Sequence, residues 1–398
     1  MVQRLKNIYH LFVSILANVI MKFPSRNLTV IGVTGTDGKT TTVNMIYHIL
    51  KTAGLTVSMI STVGAIIDDQ NYDIGFHVTT PNPFHIQRFM QQALAVVSPG
   101  RKYMVLEVTS HAIDQNRIWG IPFTIGVLTN ITPEHLDYHK TLARYTRTKV
   151  KLLQRSMIAI VNRDDDSFTT VMKYLAPHKN VLHYAIEDDR ADITTKKFIY
   201  NSILKETYNH SNMLAAITVC KALGVSDRKI REAIATFTPP IGRGEIVYDK
   251  KFTVMIDFAH TPNAFEQVLA AVRPLAKGKL IHVFGAAGER DVMKRPQMGK
   301  FSAQQADVLI LTSEDPRSED PEKIMDDLLR GISKEQRKKI EIYKIIDRKE
   351  AIKKAISLAK EGDFILLTGK AHEQSMNYGK GEEVWNEYKA VTDAIGTT

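Results

Sequence analysis

The sequence predicts an α/β protein, with one mostly parallel sheet covered by helices on both faces and then a second α/β domain. Three observations predict it. From Leu28 onward, short β-branched runs alternate with longer segments of helical period. A breaker-rich stretch, Thr238-Pro239-Pro240-Ile241-Gly242, interrupts that alternation. A second series of the same kind follows it. At 398 residues the chain exceeds one ordinary core. The expected division is an N-terminal helix over 1–28, a central domain over 29–238 and a C-terminal domain over 239–398.

The N-terminal segment, residues 8–21, is mostly apolar but too short and too interrupted to read as a membrane span. Lys6, His10, Ser14, Asn18 and Lys22 recur every fourth residue, which makes one narrow polar ribbon on a helix. Lys22-Phe23-Pro24 follows with no small-residue cleavage site, so a signal peptide is not expected. Two readings stay open for residues 1–28. The helix packs against the body or a partner chain, or it lies on a membrane surface helped by Arg4, Lys6, Lys22 and Arg26.

In the central domain, strands are expected at 28–33, 56–60, 103–108, 124–128 and 157–161. Helices are expected at 40–53, 85–97, 145–154, 212–223 and 227–236. Strands at 252–256, 280–284, 308–311, 340–343 and 364–367 form the second series, with helices between them. No internal repeat interrupts either series.

Composition narrows the function classes. With 44% hydrophobic and 24% charged residues the chain is neither disordered nor collagen-like. A net charge of +10 attracts nucleic acid, phospholipid or small anions without choosing among them. Neither a recognition helix nor an aromatic stacking platform supports nucleic acid. The single cysteine, Cys220, excludes an internal disulfide framework and suits a reducing cytoplasm. Its apolar surroundings make it a core residue.

The strongest motif is Gly32-Val33-Thr34-Gly35-Thr36-Asp37-Gly38-Lys39-Thr40-Thr41-Thr42, between a strand and a helix. That is the context of a phosphate-binding loop, although Val33 stands where the usual spacing has its first glycine. Backbone N–H groups and the helix N-terminus hold phosphate oxygens there. Lys39 neutralises the β/γ-phosphates and the Thr40 hydroxyl joins a Mg²⁺ shell. Kinase, GTPase and ligase readings all fit this loop. Two further polar runs begin at strand ends, where open α/β sheets bind ligands: one from Glu107 to Arg117, one from Thr129 to His139. Glu107 is a reasonable Mg²⁺ ligand, and His135 is a less typical one.

These runs are followed in order by Asn162-Arg163-Asp164-Asp165, Tyr208-Asn209-His210-Ser211-Asn212, Gly242-Arg243-Gly244-Glu245 and Asp257-Phe258-Ala259-His260-Thr261-Pro262. Then come Phe284-Gly285-Ala286-Ala287-Gly288-Glu289-Arg290-Asp291, Thr312-Ser313-Glu314-Asp315-Pro316-Arg317 and Gly369-Lys370-Ala371-His372-Glu373. Over residues 29–398 the series resembles the Mur ligase family, in particular the branch that adds an amino acid to UDP-N-acetylmuramoyl-dipeptide. The resemblance implies a P-loop central domain, a Rossmann-like C-terminal domain and a cytoplasmic ligase of peptidoglycan precursor synthesis. In such enzymes ATP phosphorylates a carboxylate and an amine then displaces phosphate, forming an amide.

The resemblance also implies residue roles. Gly35, Thr36, Asp37, Gly38, Lys39, Thr40 and Thr41, with Asn209, Asn212, Arg243 and Asp257, would surround ATP. Thr40, Glu107, His135 and Lys149 would serve Mg²⁺, Lys149 as a carbamate, which turns an ammonium into a carboxylate-like group. Thr79, Thr80, Thr109, Gln115 and Arg117 would hold an anionic muramoyl-peptide acceptor, though such residues also serve as caps and turns. Arg290, Asp315, Arg317, Gly369 and Glu373 would hold the incoming amino acid. In the family, Asp-Asn-Pro-Arg marks meso-diaminopimelate users, and Glu314-Asp315-Pro316-Arg317 keeps the arginine.

Departures are Asp37 and Ala371 for the usual Asn and Gly, Thr109 for Ser, and an abbreviated stretch over 188–204. Family members normally open with a UDP-binding domain, whereas here only the helical segment precedes residue 29. The acceptor is then one without UDP, one that is lipid-linked, or one whose UDP another chain binds. Two other readings remain at this stage. One is a folylpolyglutamate- or cyanophycin-synthetase-like ligase; the other is a nucleotide-binding regulator without turnover, against which Lys39, Glu107, His135 and Lys149 argue.

Overall fold

A computed structural model describes residues 2–75, 79–176, 178 and 180–396; the side chains of Val2 and Arg4 lie outside that description, and with them the expected part of Arg4. The chain forms two units, Met1–Pro133 with His139–Pro240, and Glu134–Tyr138 with Ile241–Thr398.

The first unit is built on a nine-stranded sheet. Its strands are β1 (Thr29–Thr34), β2 (Thr56–Ser61), β3 (Gly64–Ile67), β4 (Gln70–Tyr72), β5 (Lys102–Glu107), β6 (Phe123–Leu128), β7 (Ser156–Asn162), β8 (Val181–Ala185) and β9 (Ile193–Thr194). Their order is β4-β3-β2-β5-β1-β6-β7-β8-β9. All neighbours are parallel except the β2–β3 and β3–β4 pairs. Parallel strands are buried on both faces, so they read as continuous apolar runs rather than alternating ones. β1 shows it: Val30 packs into the core on one side of the sheet, while Ile31 and Val33 pack into the core on the other. Met104 and Leu106 of β5 join the first core; Tyr103 and Val105 join the second.

Helix α2 (Lys39–Thr52) leaves β1, and α3 (Pro83–Ala95) is started by Asn82, whose side chain accepts from the His85 N–H. Helix Thr207–Ala222 is buried almost continuously from Asn212 to Cys220, so its sequence lacks a polar face. Cys220 is fully buried there, and burial pushes its thiol pKa up, which fits a core residue.

The expected strands and helices are present with boundaries within three residues, except that the N-terminal helix expected over 1–28 ends at Ile20 and the helix expected at 212–223 begins at Thr207. What the sequence reading left out are the short β3, β4, β8 and β9 at the sheet margins. In the second unit β10 (Glu245–Asp249) was left out, as was the hairpin of β16 (Ser375–Asn377) and β17 (Glu382–Val384). The second sheet adds β11 (Thr253–Asp257), β12 (Leu280–Phe284), β13 (Val308–Leu311), β14 (Glu341–Lys344) and β15 (Phe364–Thr368), in the order β10-β11-β15-β12-β13-β14. Only β10 is antiparallel in it. β16 and β17 pair apart from both sheets.

Helix α1 (Val2–Ile20) carries the expected polar ribbon, and part of it faces the protein. The Asn7 amide donates to Asp114 Oδ2 at 3.0 Å, the Ser14 hydroxyl to the Asn116 carbonyl at 2.8 Å, and the Asn18 amide to the Trp119 carbonyl at 2.9 Å. Lys6 and Lys22 remain exposed. No helix among the described residues is long and apolar enough to cross a membrane.

Candidate active site

Three adjacent parallel strands set the position of the first site. Val33 of β1 lies beside Glu107 of β5, and Thr34 lies beside Leu128 of β6. Their C-terminal ends therefore deliver the phosphate-type loop, Glu107 and Thr129-Asn130 to one edge of the sheet, where the strand order reverses.

The loop is held from the β6 side. The Asp37 N–H donates to Asn130 Oδ1 at 2.9 Å, the Thr36 N–H to the Asn130 carbonyl at 2.9 Å, and the Thr129 hydroxyl to the Asp37 carbonyl at 2.6 Å. Two glycines are required by close approach and positive φ. A Cβ on Gly35 would meet Thr129 Oγ1 at 1.8 Å, and one on Gly38, at φ +78°, would meet Asn212 Oδ1 at 2.2 Å. Lys39 is half-buried and curls over the loop, its Nζ donating to the Thr36 carbonyl at 2.8 Å.

Glu107 is 1% exposed and fully engaged. Thr40 Oγ1 and Thr62 Oγ1 donate to its Oε1 at 3.2 and 3.0 Å, and the Thr62 N–H donates to its Oε2 at 2.9 Å. Thr62 had no signal in the sequence; the β2 end brings it in. Lys149 is likewise 1% exposed, with Nζ donating to the Gly35 carbonyl at 2.5 Å and lying 4.6 Å from the Tyr145 ring centre. The Tyr145 hydroxyl is 3.2 Å from Thr36 Oγ1, so the lysine and the loop share one support. Nearby, His139 contacts Ser110 Oγ at 3.0 Å, and burial pushes its pKa down to about 4, so the ring is neutral at pH 7.

A hydroxyl and a carboxylate oxygen 3.2 Å apart are the kind of donors Mg²⁺ takes, alongside water. Thr40 and Glu107 therefore fit that ion. His135, at φ +55°, lies in the five-residue segment that belongs to the second unit. No cluster of three His, Cys, Asp or Glu side chains suited to a metal occurs among the described residues. The expected set contains only two such side chains, and an ion that keeps several waters needs no more.

The expected acceptor residues form a chain beside Glu107. Thr80 Oγ1 donates to the Glu107 carbonyl at 3.0 Å and lies 3.3 Å from Thr109 Oγ1; Thr79 Oγ1 is 3.2 Å from Thr62 Oγ1. Thr109 also accepts from the Ala112 N–H, capping α4 (Ser110–Asp114). Gln115 ends that helix, and Arg117 donates to the Thr80 carbonyl at 2.6 Å. Of the helix Thr207–Ala222 pair, Asn212 accepts from Thr42 and faces Gly38, whereas Asn209 donates to Glu206.

In the second unit, Asp257 ends β11 and accepts from the Gly244 and Ala259 N–H groups, both at 2.7 Å. Arg243 stacks 4.5 Å from the Phe258 ring centre. The segment Glu134–Tyr138 is fastened by Lys294 Nζ to Glu134 at 3.1 Å and by the Leu136 N–H to Asp291 Oδ2 at 3.2 Å.

The Glu314–Arg317 loop follows β13. Lys370 is fully buried and donates to both Asp315 oxygens at 3.0 Å and to Glu373 Oε2 at 2.6 Å. Asp315 also accepts from the Asn377 N–H. Its negative charge, which an asparagine would lack, thus has a buried ion-pair partner that Glu373 shares. Lys370 was quoted in the sequence motif but given no role there. Arg317, at φ +54°, donates to the Gly288 carbonyl at 2.9 Å. The Arg290 pKa is lowered by burial and then by the nearby Arg317 guanidinium. The carboxylates of Asp137, Asp315 and Glu289 act on Arg290 in the opposite direction.

Glu314 is buried beside Gly369, and burial pushes its pKa up from 4.5 to about 7. A carboxyl whose folded pKa is raised stabilises fully below its unfolded value and loses that stabilisation as pH rises through the folded one. Glu314→Gln is therefore expected to gain on the natural protein by on the order of 3 kcal/mol between pH 4.5 and 8. Denaturant titrations across that range check it; a difference independent of pH would contradict it.

Family models match in both units: "Mur ligase middle domain" over residues 33–220 and "Mur ligase, glutamate ligase domain" over 242–371. The UDP-N-acetylmuramoyl-L-alanyl-D-glutamate–2,6-diaminopimelate ligase of Aquifex aeolicus is 37% identical over 390 residues, 94% of this chain and 78% of its own. The chain belongs to the Mur ligase family. A solved structure of a diaminopimelate ligase of the same description superposes with a TM-score of 0.62 at 27% identity, over 95% of this chain and 81% of its own. E. coli FolC superposes at 0.70 with 18% identity, over 97% and 92%, and shares the fold. This Mur ligase is an ATP- and Mg²⁺-dependent, ADP-forming amide ligase.

Proposed function

We propose that this ligase adds meso-diaminopimelate to the free carboxylate of a muramoyl-dipeptide acceptor in cytoplasmic peptidoglycan precursor synthesis. The observation that carries the reading is Arg317 on the Glu314–Arg317 loop, close enough to Arg290 to act on its charge, with Asp315 ion-paired to Lys370. An arginine there pairs with the far carboxylate of diaminopimelate, whereas a lysine side chain brings an ammonium to it. Relatives named for that amino acid support the same choice.

In this reading Gly35–Thr41 hold the ATP phosphates through backbone N–H groups, and Lys39 swings from the Thr36 carbonyl to the β/γ-phosphates. Asn209, Asn212, Arg243 and Asp257 hold the remainder of the nucleotide. Thr79, Thr80, Thr109, Gln115 and Arg117 orient the acceptor so that its carboxylate oxygen faces the γ-phosphorus in line. Transfer gives an acyl phosphate and ADP. The α-amine of the amino acid, positioned through Arg290, Arg317, Gly369 and Glu373, then attacks the carbonyl carbon, and phosphate leaves with the amide formed. Thr40, Glu107, His135 and carbamylated Lys149 would hold Mg²⁺, which offsets phosphate charge when bound.

Incubating the protein with ATP, a muramoyl-dipeptide acceptor and diaminopimelate, lysine or glutamate in turn tests the reading by phosphate release. Preference for lysine or glutamate would reject it. Lys149 gives a separate test. Lys149→Ala is expected to lose turnover and regain part of it with added acetate or propionate, because the shortened side chain leaves room for a free carboxylate. Equal activity with and without the added acid would remove the carbamate from the account.

A further inference from the structure

We propose that α1 seats this enzyme on an anionic membrane surface, lying in the plane of the interface with its apolar stripe among the lipid chains. The stripe faces outward. Leu5, Ile8, Tyr9, Phe12, Leu16 and Val19 follow the three- and four-residue spacing of one helix face, and each is 51–67% exposed. A helix on a water-soluble body normally turns that face inward. Here the inward side carries Asn7, Ser14 and Asn18 beside the buried Ala17. Asn7, Ser14 and Asn18 are fastened to Asp114, Asn116 and Trp119, and Asn18 packs 2.9 Å from the position of a Cβ on Gly120. These bonds fix the rotation of the helix, so it cannot roll its apolar side onto the protein without leaving buried polar groups unpaired.

The charge pattern selects lipid as the occupant. No aspartate or glutamate occurs before Asp37, while Arg4, Lys6, Lys22 and Arg26 do. Lys6, Lys22 and Arg26 are exposed. Each basic side chain near an anionic surface strengthens partition by roughly fivefold. A second copy of the chain would set these cations against themselves. The stripe is also small for a protein partner. At ~1.5 Å per residue and ~10 Å width it offers about 200 Å², against roughly 800 Å² per partner in a stable interface. An interfacial helix needs only such a stripe with basic flanks, and α1 does not span.

Sedimentation of the full chain with vesicles tests this, using phosphatidylcholine alone or mixed with phosphatidylglycerol. The readout needs no turnover, so it stands apart from the substrate assignment. The natural protein is expected to pellet with the mixed vesicles and to be released by salt. The double variant Phe12→Asp, Leu16→Asp removes no core packing and is expected to lower partition at least about tenfold. Lys6→Glu with Lys22→Glu should lower it on mixed vesicles only. Both variants should keep the far-UV circular dichroism and melting temperature of the natural protein, which shows that they fold. A natural protein that stays in the supernatant overturns the proposal. So does a dimer in analytical ultracentrifugation that the Phe12, Leu16 variant dissociates, with no vesicle binding by either form.

Discussion

Lys39→Ala is expected to lower amino-acid-dependent phosphate release by roughly 10²–10³-fold or more while leaving the melting temperature nearly unchanged. The size follows from removing the one flexible cation of the loop from a transfer that concentrates anionic oxygens. The mild effect on stability follows from how the loop is held. Its shape comes from Asn130, Thr129 and the two glycines, and Lys39 adds a single bond to the Thr36 carbonyl. Steady-state phosphate release and a thermal melt, measured on the same preparation, decide it. Unchanged turnover in a folded variant would take Lys39 out of the mechanism.

Arg317→Ala is expected to cost about 2–5 kcal/mol in kcat/KM with diaminopimelate and little with lysine. Truncating one partner of a desolvated charge pair leaves the other charge without compensation. Asp315 is itself tied to Lys370 and the Asn377 N–H. The loop itself should survive, since Asp315 and the Arg317 backbone N–H, bonded to the Asn377 carbonyl, hold its shape. Competition between the two amino acids at equal concentration reads the effect directly. An equal loss with both would make Arg317 a structural residue.

The central strands of both sheets were legible because a strand buried on both faces is mostly apolar along its length, as the fully buried Thr29–Thr34 and Phe364–Thr368 are. The glycine loop was legible because phosphate binding restricts which residues fit. The margins were not. Gln70–Tyr72 and Glu382–Val384 are short, polar strands whose pairing comes from a neighbouring hairpin arm rather than from their own pattern.

The sequence by itself thus determined the two α/β series, the phosphate-type loop and the residues that carry the family resemblance, since local propensity and motif spacing are written along the chain. Only the tertiary structure decided which groups meet across it. Thr62 reaches Glu107 over 45 residues, Lys370 reaches Asp315 over 55, and Lys149 reaches the Gly35 carbonyl over 114. The ribbon on α1 was visible as a period of four, but a period says nothing of direction. Hydrogen bonds from Asn7, Ser14 and Asn18 to Asp114, Asn116 and Trp119, more than 100 residues away, hold the middle of that ribbon against the protein and leave the apolar stripe facing out, while Lys6 and Lys22 stay exposed.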